Sequence, residues 1–155
     1  MHQPEKQLDA ALSRLEREPE ISVLRMSHYY RTPPWGNEQQ DHFINAVAQV
    51  ETSLEPLPLL SRLQFIENEL GRTRDTGRWG PRVIDIDLLM MDDVSIKSSG
   101  LEIPHPRMHE RAFVLLPLWE LDPGLEIPGH GFVKDLLSKV NCDGIHKLDQ
   151  AGEDS

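Results

Sequence analysis

The sequence is short of most things that build a secreted, membrane or nucleic-acid-binding protein. It has one cysteine, Cys142, so no disulfide forms within the chain and an oxidised mini-scaffold is excluded. No apolar run approaches the roughly 18 residues a membrane span needs. The opening residues, MHQPEKQLDAAL, have neither the basic end nor the apolar block of a secretory leader. Positive charge is scarce: 16 Lys and Arg stand against 26 Asp and Glu, for a net charge of −10. That balance disfavours a general binder of nucleic acid or anionic membrane. There is no internal repeat and no low-complexity tract. A G-x-x-x-x-G-K-[ST] loop and a G-x-G-x-x-G behind a strand are both missing, which sets aside P-loop and dinucleotide-binding chemistry. These absences leave one domain over residues 1–155, long enough to bury a core. It is expected to be cytoplasmic and monomeric.

The scarce positive charge is unevenly placed. Arg72 to Arg111 holds seven bases, six of them arginine, against seven acids. That stretch is neutral, and the remaining 9 bases and 19 acids carry the whole −10. Arginine concentrated in one segment of an acidic chain raises the question of which anion it binds.

Periodicity and turn residues predict the elements. Residues 4–18 read as a helix, with Pro4 in its first turn and Leu8, Leu12 and Leu15 on one face. Residues 21–31 and 42–51 read as strands around a TPPWGNEQQD loop. Residues 56–70 form the clearest helix, with Leu59, Leu63, Ile66 and Leu70 on one stripe and Gly71 closing it. A glycine-punctuated basic loop at 71–81 leads to a third strand over 82–91. Residues 107–121 read as a helix interrupted at Pro117, and residues 132–140 as a last short one. Helix, strand, strand, helix, strand and then mostly helix is an α+β sandwich of the βαββαβ type, with C-terminal helical additions and its first strand missing.

Asp85-Ile86-Asp87 is the sharpest chemical feature. In an extended segment both carboxylates share one face, about 7 Å apart. Their mutual repulsion calls for a neutralising partner, and a hard divalent cation supplies one. Arg72, Arg74, Arg78 and Arg82 precede them, interleaved with Gly77 and Gly80 and with Trp79 among them. Arginine forks match phosphate oxygens, so the combination points to polyphosphate plus metal. Phe43 and Asn45, beside the TPPWG loop, suit a flat heterocycle by stacking and hydrogen bonding, although a strand aromatic is more often core. His105 and His109 stand four apart, but the prolines around His105 argue against a helix and no third ligand has zinc spacing. His105 and Arg111 suit phosphate better. Cys142 has no evident base.

Three segments together resemble the 6-hydroxymethyl-7,8-dihydropterin pyrophosphokinase family. They are Tyr30-Arg31-Thr32-Pro33-Pro34, then Arg78-Trp79-Gly80-Pro81-Arg82-x-x-Asp85-x-Asp87-Leu88-Leu89, then Ile103-Pro104-His105-Pro106-Arg107-Met108 followed by Arg111-x-Phe113. They occur in family order and spacing, and the resemblance covers residues 1 to about 140.

The resemblance implies a ferredoxin-like fold and transfer of the β,γ-diphosphate of ATP to the hydroxymethyl oxygen of the pterin, releasing AMP, in folate biosynthesis. It implies two Mg2+ ions, with Asp85 and Asp87 as ligands. It puts Gln64, Glu67, Arg74, Trp79, Arg82, Leu88, His105 and Arg111 in the nucleotide site. Arg72, Arg74 and Arg82 become the arginines of catalysis. Thr32, Pro33, Trp35, Phe43, Asn45, Trp79 and Phe113 become the pterin pocket. Family members begin with an apolar strand ending in Gly-Ser-Asn, and this sequence starts at or beyond that turn. At Pro106 other members can carry an aromatic. A truncated or inactive pterin-binding paralogue is the alternative; intact Asp85, Asp87 and Arg82 weigh against it. A D-x-D nucleotide-sugar transferase is disfavoured by the short chain.

Overall fold

The leucine stripe forms helix α1 over Pro4–Glu16. The computed structural model describes residues 4–32, 43–72, 85–92, 94–98 and 100–148. α1 stops two residues earlier than its pattern predicts, because Arg17 and Glu18 bond back to the Arg14 and Leu15 carbonyls, tightening the last turn before Pro19. Glu18 is buried there but paired, 2.6 Å from Arg14 and 3.6 Å from Arg62.

Each expected strand of the first half divides in two. Residues 21–31 become β1 (Ile21–Met26) and β2 (Tyr30–Thr32). The described part of 42–51 becomes β3 (Phe43–Asn45) and β4 (Ala48–Thr52). β1 pairs antiparallel with β4, and β2 with β3. The two breaks lie side by side: the Ser27 N–H donates to the Val47 carbonyl at 2.9 Å, and the Val47 N–H donates to Ser27 Oγ at 3.0 Å. A buried hydroxyl takes over as acceptor from a carbonyl, so the ribbon changes direction without orphaning these groups.

Helix α2 (Pro56–Arg72) packs with α1 on one face of the β1–β4 pair, where Leu15, Leu59 and Leu63 meet Ile21 and Val50. The third strand expected over 82–91 is not formed in its described part. Asp85–Met91 belongs to no sheet, because no strand lies beside it among the described residues to supply a ladder. Its backbone bonds go elsewhere: the Ile86 N–H to Glu67 and the Leu89 carbonyl to the His105 N–H. A hairpin follows that the pattern reading passed over, β5 (Ile96–Ser98) against β6 (Leu101–Ile103), with Gly100 at φ 90° in its two-residue turn.

Residues 107–121 also divide, but at Arg111 rather than at Pro117. A short 3-10 turn covers Met108–Glu110, Arg111 is extended, and α3 runs over Ala112–Leu121 straight through Pro117. Pro117 removes one helical donor, and its ring is buried in the core beside Leu115 and Leu118, which offsets the loss. Two short strands, β7 (Glu126–Ile127) and β8 (Gly131–Phe132), lead into α4 (Val133–Leu137), shorter than the 132–140 expected. β9 (His146–Lys147) returns to pair with the free edge of β2. The larger core cluster joins α3 and α4 through Met108, Leu115, Ile127 and Val133, all fully buried. The architecture is α+β, with small antiparallel sheets and helices. Among the described residues no helix is long and apolar enough to cross a membrane.

A carboxylate joins the two halves. Glu120, near the end of α3, accepts the His28 N–H at 3.1 and 3.2 Å, His28 Nδ1–H at 2.7 Å and the Tyr30 hydroxyl at 2.8 Å. Burial works to raise its pKa, but the bonds from His28 and Tyr30 outweigh it and hold the carboxyl below its ordinary value. Burial, then the bond to Glu120, push the Tyr30 hydroxyl well above its ordinary value.

Two outcomes follow from this packing. Leu115→Ala should cost about 2–5 kcal/mol in urea unfolding, whereas Leu57→Ala, on the exposed side of α2, should cost under about 0.5 kcal/mol. The depressed Glu120 group stabilises the fold above the ordinary carboxylate range, and that contribution is lost as pH falls through its folded value. The stability gap between the parent and Glu120→Gln should therefore shrink in acid; an equal gap at neutral and strongly acidic pH would refute the charge's contribution.

Candidate active site

Asp85 and Asp87 are exposed, while Ile86 and Leu88 between and beside them are half-buried against the Ile21–Leu59–Leu63 cluster. Burial of the two apolar side chains turns the carboxylates outward. This is the period-two pattern expected of an extended segment, reached here without a ladder. The segment is anchored from behind: Glu67 Oε2 accepts the Ile86 N–H at 2.5 Å. Glu67, Gln64 and Leu60 fall at helical spacing on one face of α2.

These side chains form one wall of a cavity of about 450 Å³. Asp85, Ile86, Asp87 and Leu88 form its floor. The β5–β6 hairpin also lines it, through Ser98, Gly100, Leu101 and Glu102, together with His105 and Pro106. The size is that of a small-molecule site. His105 follows the cis Ile103–Pro104 peptide, and its Nδ1 accepts the Arg107 N–H at 3.1 Å, so Nε2 carries the ring proton. Burial, reinforced by Arg111 and Arg107, lowers its pKa against the pull of Asp87 and Glu102. The ring is then neutral near pH 7 and adds no charge to the cavity wall.

Of the predicted nucleotide-site residues, Gln64, Glu67, Leu88 and His105 line this one cavity, together with the predicted metal ligands Asp85 and Asp87. Arg111 does not line it. It caps α3 at its N-terminus, with its guanidinium 5.6 Å from the Phe113 ring centroid. Arg72 is the last residue of α2. Arg74, Trp79 and Arg82 lie outside the described residues, as do Pro33 and Trp35. On the predicted pterin side, Thr32 pairs in register with Phe43, and Tyr30 with Asn45. Thr32 is buried, and its hydroxyl has no hydrogen-bond partner among the described residues. Phe113 is half-buried against the larger core. His109 stacks on His130, with centroids 3.8 Å apart and planes 9° from parallel.

The donor set discriminates between metals. Among the described residues no group of three His, Cys, Asp or Glu side chains is placed to hold an ion. Two carboxylates at the cavity floor fit a hard cation that completes its shell with phosphate oxygens and water; they do not fit a closed zinc or calcium cage.

The family model for 7,8-dihydro-6-hydroxymethylpterin-pyrophosphokinase matches residues 1–123. The chain belongs to that family. It is 42% identical over 146 residues to the 2-amino-4-hydroxy-6-hydroxymethyldihydropteridine pyrophosphokinase of Pseudomonas aeruginosa, covering 94% of this chain and 90% of that one. The protein of the same name from Methylorubrum extorquens is 44% identical over 142 residues, covering 92% of this chain and 89% of that one. The folic acid synthesis protein fol1 of Schizosaccharomyces pombe is 39% identical over 141 residues, 90% of this chain but 19% of that longer protein.

The sequence pattern left out the hairpin that lines this cavity. The signal was present: Ile96-Lys97-Ser98 and Leu101-Glu102-Ile103 flank Ser99-Gly100, two short alternating runs about a two-residue turn. Leu60 was legible too, one helical turn before Gln64 on α2.

The Glu67 anchor carries a prediction. Glu67→Ala leaves the half-buried Ile86 N–H without its acceptor, so it should cost about 1–3 kcal/mol in stability. Hydrogen exchange at the Ile86 amide should accelerate in the same variant. Unchanged exchange would show that this bond does not hold the acidic segment.

Proposed function

We propose that this chain transfers a diphosphate from ATP to the hydroxymethyl group of 6-hydroxymethyl-7,8-dihydropterin, in folate biosynthesis. The observation that carries the reading is the single cavity that gathers Gln64, Glu67, Asp85, Asp87, Leu88 and His105 in a member of this family. In the reaction the substrate hydroxyl oxygen bonds to the β-phosphorus, the bond from the β-phosphorus to the α,β-bridging oxygen breaks, and AMP leaves with that oxygen. The hydroxyl proton is released to water. The nucleophile belongs to the substrate, so no serine or cysteine is needed, and positioning and charge stabilisation carry the rate.

In this reading Asp85 and Asp87 hold magnesium, as two ions in the family pattern. The metal, when bound, neutralises phosphate charge and polarises the phosphorus–oxygen bond. Glu67 and Gln64 present the α2 wall to the nucleotide. Leu88 and His105 bound it on either side, and His105 does so as a neutral donor. Arg74, Trp79, Arg82 and Arg111 complete the nucleotide contacts, and Arg72, Arg74 and Arg82 take up charge developing on the bridging oxygen. Thr32, Pro33, Trp35, Phe43, Asn45, Trp79 and Phe113 surround the pterin, with the Phe43 and Phe113 rings on its two faces. The finer fold is ferredoxin-like: α1 and α2 on one face of the β1–β4 pair support it. The protein works as a cytoplasmic monomer on these two small molecules.

The direct test is AMP formation from ATP with magnesium and the hydroxymethyl pterin; well-folded protein forming no pterin-dependent AMP would refute the assignment. Asp87→Asn should lower turnover on the order of 100-fold or more and raise the magnesium needed for half-maximal rate, with little change in urea midpoint, because Asp87 is exposed. Retained turnover would remove Asp87 from the metal site.

A further inference from the structure

The carboxylate of Glu120 lies outside the nucleotide cavity and has no part in the chemistry above, yet it receives four hydrogen-bond contacts from one short stretch of another element. That stretch is the entry to β2. In an antiparallel pair, residues directly opposite one another project to the same face, and alternate residues along a strand do as well. Tyr30, Thr32 and Asn45 therefore share one face of the β2–β3 pair. Tyr30 and Thr32 are buried, whereas Arg31 between them is exposed. The Tyr30 hydroxyl ends on Glu120, so this face is the one turned toward α3.

The helix supplies the other half. Phe113 precedes Glu120 by seven residues in α3. Seven residues rotate to within about 20° of two full turns, so the two positions share a helix face, about 10 Å apart along the axis. The face that sends a carboxylate to β2 is thus the face that carries Phe113. No backbone ladder joins α3 to β2 among the described residues. The Glu120 cluster is a polar connection between a strand bearing Thr32 and a helix bearing Phe113.

We infer that Glu120 is a positioning residue for the pterin: by fixing β2 against α3 it sets the separation between the Thr32–Asn45 face and Phe113, the two walls that receive the heterocycle. Tyr30 and His28 are its partners in that role. This inference rests on the proposed function, because the ligand it positions is the pterin. It goes beyond that function in assigning pocket width to a group that does not touch substrate.

The experiment compares steady-state kinetics of the parent, Glu120→Gln and Tyr30→Phe, varying the pterin and ATP separately. The pterin's own fluorescence titrates binding directly in the presence of magnesium and a non-hydrolysable ATP analogue. Loss of one hydrogen bond to a charged group is expected to raise the pterin KM and dissociation constant about tenfold. The ATP KM should stay within about twofold, because neither Glu120 nor Tyr30 lines its cavity. Tyr30→Phe preserves ring volume and keeps the test available if Glu120→Gln folds poorly. A merely structural role would lower the amount of active enzyme and leave both KM values alone; that result, or equal rises in both, overturns the inference while parental turnover upholds the function. A parent that neither binds nor turns over the pterin overturns the proposed function, and this role with it.

Discussion

The acidic segment Asp85–Met91 is held without a sheet, and most of what the site can do depends on how that is achieved. A backbone stretch with no ladder must find other partners for its polar groups or lose its conformation. Glu67 supplies one from α2, and the His105 N–H supplies another. Ile86 and Leu88 add the apolar contribution by packing on the Ile21–Leu59–Leu63 cluster. The result is that helix α2 and the His105 segment are both bonded directly to the stretch that carries Asp85 and Asp87. A shift of α2 or of the segment entering His105 is felt at Asp85 and Asp87 at once, which is the coupling a reaction based on positioning requires.

The two faces of the ribbon are handled differently. Near the cavity floored by Asp85 and Asp87 the fixing groups are a carboxylate and a backbone amide. On the β2 side they are a buried serine at the bend and a helix carboxylate bonded to His28 and Tyr30. In both places a side chain from one element satisfies backbone or hydroxyl groups of another, at just the points where regular hydrogen bonding stops. The ordered connections between elements are therefore concentrated at the breaks in secondary structure, beside the residues proposed to meet the ligands.

Much of this was legible in the sequence. The helices over Pro4–Glu16 and Pro56–Arg72 follow from leucine spacing, although α1 ends two residues before its expected end and α2 runs through Gly71 to Arg72. The outward aspartates follow from alternation with isoleucine and leucine. What was not legible has a common cause. A run such as 21–31 carries strand propensity throughout, and only a cross-strand partner, Val47 against Ser27, decides that it bends in the middle. Pro117 reads as a breaker, but burial in the α3–α4 core overrides the local rule. A strand over 82–91 is a property of a pair rather than of one segment, and its described part finds no partner among the described residues. Likewise Glu120 is an ordinary helix glutamate until the fold brings a residue 92 positions earlier to it.

The short strand β9 sets an order on how the molecule is made. His146 and Lys147 lie beside Arg31 and Tyr30, and the Leu148 N–H closes onto the Tyr29 carbonyl. The contact joins the thirtieth residue to nearly the last ones described. On the ribosome, α1, α2 and the Glu67-anchored acidic segment emerge well before the tail. The β2 edge cannot be covered until the tail emerges. The strand carrying Thr32 is therefore the last of these elements to be sealed.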